Sequence, residues 1–283
     1  MATPAPLSYD TFVSEGAPRA GDQRMPNGDP IVSSPITSTL VYGDHDALLV
    51  DPPFTHDQIR QVGDWVERSG RRLAYIYATH GHGDHWFGTG ELVERFPGAV
   101  AYATEGTIRM MHEQATTGRE RMWDEVFPGQ IPATPVLARP APSEDLLLEG
   151  HAVLPYEAGH TDTDDTTFLH VPSIGLVIAG DVAYNDVHPY ILEGGNGGLT
   201  AWLDALDRID ALAPRAVVAG HKNRDRADAP AIVEETRAYL RDARRLLDEK
   251  LTAQEFFDRM MGLHGGRLNP GPLWYGAVGL LGV

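Results

Sequence analysis

Three histidines and an aspartate fall within six residues of the stretch THGHGDHWFGTG, at positions His80, His82, Asp84 and His85. Neutral imidazole and carboxylate are ligands of Zn²⁺, and they also suit iron and manganese. The glycines between them allow the backbone to fold closely enough for the side chains to converge. The residue types and their spacing therefore predict a metal-binding loop rather than a solvated loop that happens to be rich in histidine.

Three further candidate ligands each follow a short stretch that ends in glycine. They are His160 after YEAG, Asp181 after LVIAG and His221 after AVVAG. Taken singly, each pattern is more typical of a surface residue at a strand end than of a ligand. Because the strands of one sheet deliver their ends to a common edge, the three together with the histidine cluster favour one metal centre.

An alternation of strands and helices is predicted to position these residues. The stretches ITSTLVYG and ALLVD read as strands, HDQIRQVGDWVERSG as a helix, and RLAYIYATH as a strand that ends on the cluster. After the cluster, GTGELVERF reads as a helix and GAVAYA as a short strand. Further short strands and the amphipathic helix TAWLDALDRIDAL follow. This order predicts a layered α/β protein rather than a helical bundle or an all-β sandwich.

The chain divides into an irregular arm and one domain. We interpret residues 1–35, which are rich in Pro, Gly and Asp, as the N-terminal arm, and residues 36–283 as a single domain. Residues 105–142 read as an insertion whose helix cannot continue through a proline-punctuated run. Residues 230–262 are predicted to form one or two amphipathic helices. The apolar tail 271–283 is expected to close the pocket, cover a subunit interface or pack into the core.

Composition narrows the partners that this chain can have. A formal charge of −17 over 283 residues disfavours nucleic acids and anionic membranes, and the lack of cysteine excludes disulfides and thiolate ligands. The sequence begins with no secretory signal and holds no apolar run of about 20 residues. We therefore expect a cytoplasmic protein with a small-molecule substrate. An acidic surface with an apolar tail is compatible with a homodimer.

The order of these motifs, over residues 36–222, resembles the metallo-β-lactamase superfamily. The resemblance implies a four-layer αββα sandwich, here with a helical insertion and a C-terminal helical extension. It also implies two divalent metal ions, with zinc as the expected metal and iron or manganese left open. The implied ligands are His80, His82 and His160 for the first metal, Asp84, His85 and His221 for the second, and Asp181 bridging the two.

The resemblance also indicates a branch of the superfamily. A bridging aspartate such as Asp181 is typical of the glyoxalase II, lactonase and thioesterase-like branches and not of true β-lactamases. Tyr184 stands at the offset where acyl-homoserine lactonases carry a tyrosine that polarises the substrate carbonyl. Asp51 matches a family aspartate beneath the metal histidines, and a simple turn residue is the alternative. Asp84 is expected to carry the proton to the leaving oxygen, with His188 as a second candidate.

The run GHTDTDDTT departs from the family pattern, which often has glycine or proline soon after this histidine. We interpret Asp162, Asp164 and Asp165 as a solvated turn, with a supporting role behind the metal ligands as the alternative. The chain also lacks an evident equivalent of the helical glutathione-binding domain of glyoxalase II, which disfavours glutathione thioesters.

These residues predict a metal-dependent hydrolase in which a metal-bound hydroxide cleaves a carboxylic ester, lactone or thioester. The alternative is an iron-dependent oxidoreductase similar to the persulfide dioxygenases, and the third reading is a metal-binding protein without activity. If the insertion covers the metals, its side chains predict an apolar substrate; otherwise they pack the inserted helix. Those side chains are Met110, Met111, Met122, Trp123 and Phe127.

Overall fold

A computed structural model describes residues 5–142 and 146–282 of the chain. Residues 1–4 of the expected arm and Val283 of the apolar tail lie outside the described residues. The described chain folds into two β-sheets flanked by helices, so the predicted α/β class is confirmed.

The first sheet has six strands in sequence order. The pairs β1–β2 and β2–β3 are antiparallel, and the pairs from β3 to β6 are parallel. The prediction of an irregular arm was wrong for residues 8–14, because SYDTFVS pairs along its whole length with the second strand. The strands are β1 (Ser8–Ser14), β2 (Ile36–Tyr42), β3 (Asp46–Val50), β4 (Arg72–Tyr77), β5 (Val100–Ala103) and β6 (Arg139–Pro140).

The second sheet has five strands in the order β11-β10-β9-β8-β7. Its strands pair antiparallel except for the parallel pair β10 and β11, which brings the ends of these two strands to the same edge. The strands are β7 (Leu146–Leu148), β8 (His151–Gly159), β9 (Thr166–Val171), β10 (Leu176–Asn185) and β11 (Ala216–Lys222).

Apolar side chains of both sheets share one buried cluster, to which Val50 and Tyr77 of the first sheet and Leu169 and Ile178 of the second belong. The other face of the first sheet packs on helices α1 (His56–Arg68) and α2 (Thr89–Arg95), which are amphipathic. The other face of the second sheet packs on the helices that follow β10. This layering confirms the expected αββα sandwich. The helices after β10 are α5 (Gly198–Ala211), α6 (Ala231–Leu247), α7 (Ala253–His264) and α8 (Gly271–Leu281).

The insertion is helical up to residue 126, as predicted, but its middle has π-helical winding. It consists of α3 (Glu105–Glu113), a π-helical segment (Gln114–Trp123) and the short α4 (Asp124–Val126). The apolar tail forms α8, whose Leu273 and Ala277 are buried in the core. None of the helices in the described ranges is long and apolar enough to cross a bilayer.

Candidate metal centre

The histidine cluster lies in the loop that follows β4 and ends in a single 3₁₀ turn, Gly83–His85. Gly81 is required here because a Cβ atom at this position would lie 2.3 Å from the Cβ of Met110 in α3. The Trp86 indole N–H donates a hydrogen bond of 2.8 Å to the Gly81 carbonyl and holds the loop closed. The insertion therefore packs directly against the loop that carries the candidate ligands.

Three groups of side chains offer converging ligand atoms. Within each group, one ligand atom from every member lies within 4.8 Å of the others. Six of the seven expected ligands belong to these groups, and Asp162 is a seventh member that was not expected. The groups are His80, His82 and Asp162; His80, His85 and Asp181; and Asp84, His85 and His221.

Asp181 lies between two of the other candidate ligands, and its bridging role stays a prediction. Its Oδ1 lies 3.4 Å from Nε2 of His85, and its Oδ2 lies 3.1 Å from Nε2 of His221. Asp84 Oδ2 lies 3.9 Å from each of these two imidazole nitrogens. The close approach depends on Gly220, where a Cβ would lie 2.3 Å from Asp181 Oδ1. A glycine is therefore required sterically before His221 at this edge of the second sheet.

Asp162 completes the group formed by the first two histidines. Its Oδ2 lies 2.8 Å from Nδ1 of His82 and 3.5 Å from Nε2 of His80. Assigning Asp162 to a solvated turn was wrong, because its side chain is 0% exposed. The side chains of Asp164 and Asp165 are 70% and 40% exposed, as expected for such a turn.

His160 lies outside the three groups. Its Nδ1 is 2.6 Å from Oδ1 of Asp164, and its Nε2 is 3.1 Å from the backbone carbonyl of Glu193. Both ring nitrogens are therefore engaged by neighbouring loops rather than directed at His80 and His82. The structure does not bring His160 together with the other expected ligands, and its role as a ligand stays a prediction.

The donor atoms fit a divalent cation. Nε2 of His80 and Oδ1 of Asp181 are buried and have no hydrogen-bond partner in the described part of the chain. A buried polar atom that has no hydrogen-bond partner or bound cation lowers the stability of the fold by about 1–3 kcal/mol. Nδ1 of His221 lies 2.7 Å from the Pro35 carbonyl, to which it donates, and this leaves the lone pair on Nε2 free for a metal. Imidazole and carboxylate are the ligand set of zinc, iron and manganese sites.

Asp51 supports the histidines from behind. It has a φ of 54°, and its two carboxylate oxygens accept 2.8 Å hydrogen bonds from the backbone N–H and the hydroxyl of Thr79. Its Oδ2 also lies 3.2 Å from Nδ1 of His85. The carboxylate therefore fixes the start of the ligand loop and orients the ring of His85, which is how carboxylates behind metal-bound histidines act.

Buried charges dominate the electrostatics of the centre. Burial opposes protonation of His85, but the carboxylates of Asp181 and Asp84 outweigh it and raise the pKa of His85 to about 10. Burial likewise opposes ionisation of Asp181, yet His221 and His85 hold its pKa well below the usual range. Without a metal His85 is thus an imidazolium beside carboxylates, whereas burial lowers the pKa of His80. A dication takes the place of these protons when it binds.

Tyr184 does not face a substrate position. It is 0% exposed, and its hydroxyl donates a 2.5 Å hydrogen bond to Oδ2 of Asp181. Its ring stacks on His221 with centroids 5.4 Å apart. His188, the second proton-carrier candidate, is buried elsewhere, with Nδ1 3.1 Å from the Tyr239 hydroxyl. Both residues support the fold around the site rather than line it.

A cavity of about 160 Å³ opens onto the ligands. Of the apolar residues expected in the insertion, Met122, Trp123 and Phe127 line it. Met111 is instead buried in the core, and Met110 packs on the ligand loop. Tyr275 of the apolar tail also lines the cavity, which is one of the three places that the sequence left open for this tail. Residues of the cavity that the sequence did not single out include Arg19, Ser34, Phe54, Tyr190 and Glu193.

The family follows from a comparison with known proteins. A profile of the metallo-beta-lactamase superfamily matches residues 33–221, and the chain belongs to this superfamily. The expected resemblance is therefore confirmed at the level of the superfamily, whereas the lactonase and glyoxalase II branch stays a prediction. A comparison with curated proteins finds no match.

Solved structures with this fold are similar over most of the chain. A metallo-beta-lactamase family protein from Thermus thermophilus is 19% identical, with a TM-score of 0.64 over 96% of this chain and 92% of that one. A beta-lactamase domain protein from Burkholderia ambifaria is 16% identical, with a TM-score of 0.65 over 97% and 84%. The metallo-beta-lactamase FIM-1 from Pseudomonas aeruginosa, in its mono-zinc form, is 18% identical, with a TM-score of 0.57 over 84% and 92%. At these identities the similarity establishes the fold alone.

Proposed function

We propose that this protein is a dinuclear, zinc-dependent hydrolase that cleaves the ester, lactone or thioester bond of a small acyl substrate. The observation that carries the proposal is the placement of Asp181, which directs one oxygen at His85 and the other at His221 while lining the cavity. Membership of the superfamily supports metal-dependent hydrolysis in general. Beyond family membership, the proposal names the type of bond that is cleaved and zinc as the metal.

When bound, two divalent cations supply an activated water and Lewis acidity for a carbonyl oxygen. The side chain of Asp84 is 18% exposed and lines the cavity, with Oδ2 near both His85 and His221. This oxygen is placed to hold a proton on its way to the leaving group. Tyr184 holds Asp181 in place through its hydroxyl rather than touching the substrate.

The cavity favours a small acyl compound. Its volume of about 160 Å³ is close to that of apolar cavities that hold a benzene-sized ligand, roughly 150 Å³. Phe54, Trp123 and Phe127 give it an aromatic wall, and they contact one another edge to face or stacked. Apolar walls with a few polar groups are typical of small-molecule sites. The charge of −17 disfavours a nucleic-acid substrate.

The test is hydrolysis by protein that has been stripped with a chelator and reloaded with Zn²⁺, Mn²⁺ or Fe²⁺. The substrates are a 4-nitrophenyl alkanoate, an aliphatic γ-lactone and an S-acyl thiocholine. We expect hydrolysis of at least one of them that depends on the metal and is lost in Asp181→Asn. If the fully metal-loaded protein cleaves none of the three substrates, the proposal is refuted.

One observation favours a second candidate, an iron-dependent oxidoreductase. His80, His82 and Asp162 form a set of two histidines and one carboxylate, and this set suits non-haem iron. Oxygen uptake by iron-loaded protein in the presence of a low-molecular-weight persulfide tests it. Uptake that is lost in Asp162→Asn, together with no hydrolysis, would establish the oxidoreductase in place of the hydrolase.

A further inference from the structure

Arg19 brings a guanidinium into a cavity that three carboxylates, those of Asp84, Asp181 and Glu193, also line. It is the only lysine or arginine among the residues of the described chain that line this cavity. Its guanidinium lies over the ring of Tyr275 in α8, with Cζ 4.4 Å from the ring centroid, and it donates a hydrogen bond to the Tyr275 hydroxyl. No carboxylate of the described residues lies within 4.0 Å of it, so its charge is held in place by a neutral partner.

Arg19 shares its cavity with four of the candidate metal ligands, which are His82, Asp84, Asp181 and His221. Tyr190, on the wall of the same cavity, has its ring edge-on to His82 at 5.4 Å between centroids. A molecule whose reacting bond sits at the ligands therefore meets this guanidinium within a small cavity.

A second donor lines the same cavity. Ser34 lines the cavity and is 9% exposed, and its Oγ accepts a 3.0 Å hydrogen bond from the side-chain amide of Asn269. The hydroxyl proton of Ser34 has no acceptor among the described residues, which leaves it available to a ligand. A fixed guanidinium and a free hydroxyl proton together form a site for an anion.

We propose that Arg19 and Ser34 bind a carboxylate on the substrate, so that the preferred substrate is a small ester, lactone or thioester that carries a carboxylate at the end away from the scissile bond. This inference rests on the proposed hydrolytic function, because both use the same cavity. A planar guanidinium offers paired donors that match the two oxygens of a carboxylate. The aromatic wall accommodates the aliphatic part between the two polar ends.

The experiment compares 4-nitrophenyl hexanoate with mono-4-nitrophenyl adipate, which differ in that a carboxylate replaces the terminal methyl group. We expect kcat/KM of the zinc-loaded enzyme to favour the adipate ester by about 10-fold or more, as charge-assisted hydrogen bonds do. Arg19→Gln should reduce this ratio at least 10-fold, and Arg19→Lys should give an intermediate ratio. Arg24→Gln, in the same segment but outside the cavity, serves as the control and should keep the ratio of the wild type.

A binding measurement separates failure of this inference from failure of the proposed function. Calorimetric titration of zinc-loaded protein with adipate and with hexanoate requires no turnover. Tighter binding of adipate that is lost in Arg19→Gln would support the carboxylate site even if neither ester were cleaved. Equal binding of the two acids, or a preference that survives in Arg19→Gln, would overturn it. Circular dichroism and zinc content of each variant check that folding and metal loading are intact.

Discussion

Two buried histidines in this fold, His85 and His188, differ in the charge of the residues around them. His85 in the metal centre faces the carboxylates of Asp181 and Asp84, which raise its pKa to about 10 against the effect of burial. His188 lies behind β10 against the hydroxyl of Tyr239, and burial, together with the positive charge of Arg267, lowers its pKa to about 3. The surroundings of His85 therefore favour a positive charge, whereas those of His188 keep its imidazole neutral.

The difference shows what turns buried histidines into a metal site. Carboxylates that share the burial make a positive charge favourable there, and unpaired atoms such as Nε2 of His80 point at a common volume. Nε2 of His188 is also buried without a partner, but no group of converging ligand atoms in the described ranges includes it. Burial of an imidazole alone therefore does not define a metal site. The carboxylates beside it define the site.

The largest expected effect is that of Asp181→Asn, which removes the negative charge between His85 and His221. Without it, the imidazole rings lose the carboxylate that they share, and the affinity for metal and the turnover should each fall by more than roughly 100-fold. Competition with a chromogenic chelator measures the affinity. Asp165→Asn, on an exposed turn, is the control. Full metal loading and full activity in Asp181→Asn would remove Asp181 from the centre.

A comparison of Asp162→Asn with His160→Asn tests which residue completes the first group. Because Asp162 is buried against His82 and His160 is engaged elsewhere, Asp162→Asn should weaken metal binding by about 10- to 100-fold and His160→Asn by less than 10-fold. The same chelator competition applies, at zinc levels that load the weaker site. The opposite order would restore His160 as the ligand that the family resemblance implies.

His188 should make the metal-free protein less stable in mild acid. Its pKa is about 3 in the folded chain and about 6.5 when unfolded, so the unfolded state binds more protons between these values. The stability that His188 contributes is therefore fully present above pH 6.5 and is lost as the pH drops toward 3. Between pH 7 and 5 this contribution should fall by about 2 kcal/mol. Urea titrations at both pH values should show that the free energy of unfolding of the wild type, measured relative to His188→Asn, falls by this amount, and a difference that does not change with pH would contradict it.

Asp51→Asn should have a smaller effect on metal affinity than the ligand variants. An asparagine can still accept the hydrogen bond from the Thr79 backbone, but it loses the charge beside Nδ1 of His85. We expect affinity to fall by roughly 10-fold, the lower end for groups behind metal ligands. An affinity equal to that of the wild type would reduce Asp51 to a turn residue.

Tyr184→Phe should give the smallest change. The variant loses one hydrogen bond to Asp181 and none to the substrate, so metal affinity should fall only a few-fold. At saturating zinc, kcat should stay within about threefold of the wild type. A fall in kcat of more than about 100-fold with full zinc loading would instead return Tyr184 to the role of polarising the carbonyl.

Local patterns made much of this site predictable. The cluster from His80 to His85 and the strand ends at Asp181 and His221 are short-range signals, because apolar strands and glycines fix where such residues go. The layered α/β class followed from the order of the elements, and the αββα arrangement followed from the resemblance to the superfamily. Asp162 was missed because TDTDD has the composition of an exposed turn, and its burial depends on contacts with a loop about 80 positions earlier.

The strand in the N-terminal arm and the lining of the cavity could not be predicted from the sequence, for a different reason. The strand Ser8–Ser14 has few buried side chains, so the alternation that marks a strand is weak, and its place is set by pairing with β2. Arg19 and Tyr275 meet although they are 256 positions apart. No local pattern encodes such a contact, and the same is true of the way the loop after β10 brings Tyr190 to His82.

The most direct test of the central claim is the number of metal ions that one chain binds. Chelator-stripped protein is reloaded with excess zinc, desalted and analysed by inductively coupled plasma mass spectrometry alongside Asp181→Asn. The account predicts two zinc ions per wild-type chain and fewer than one in the variant. Wild-type protein that retains one zinc ion or none, or a variant that retains both ions, would contradict a dinuclear centre built around Asp181.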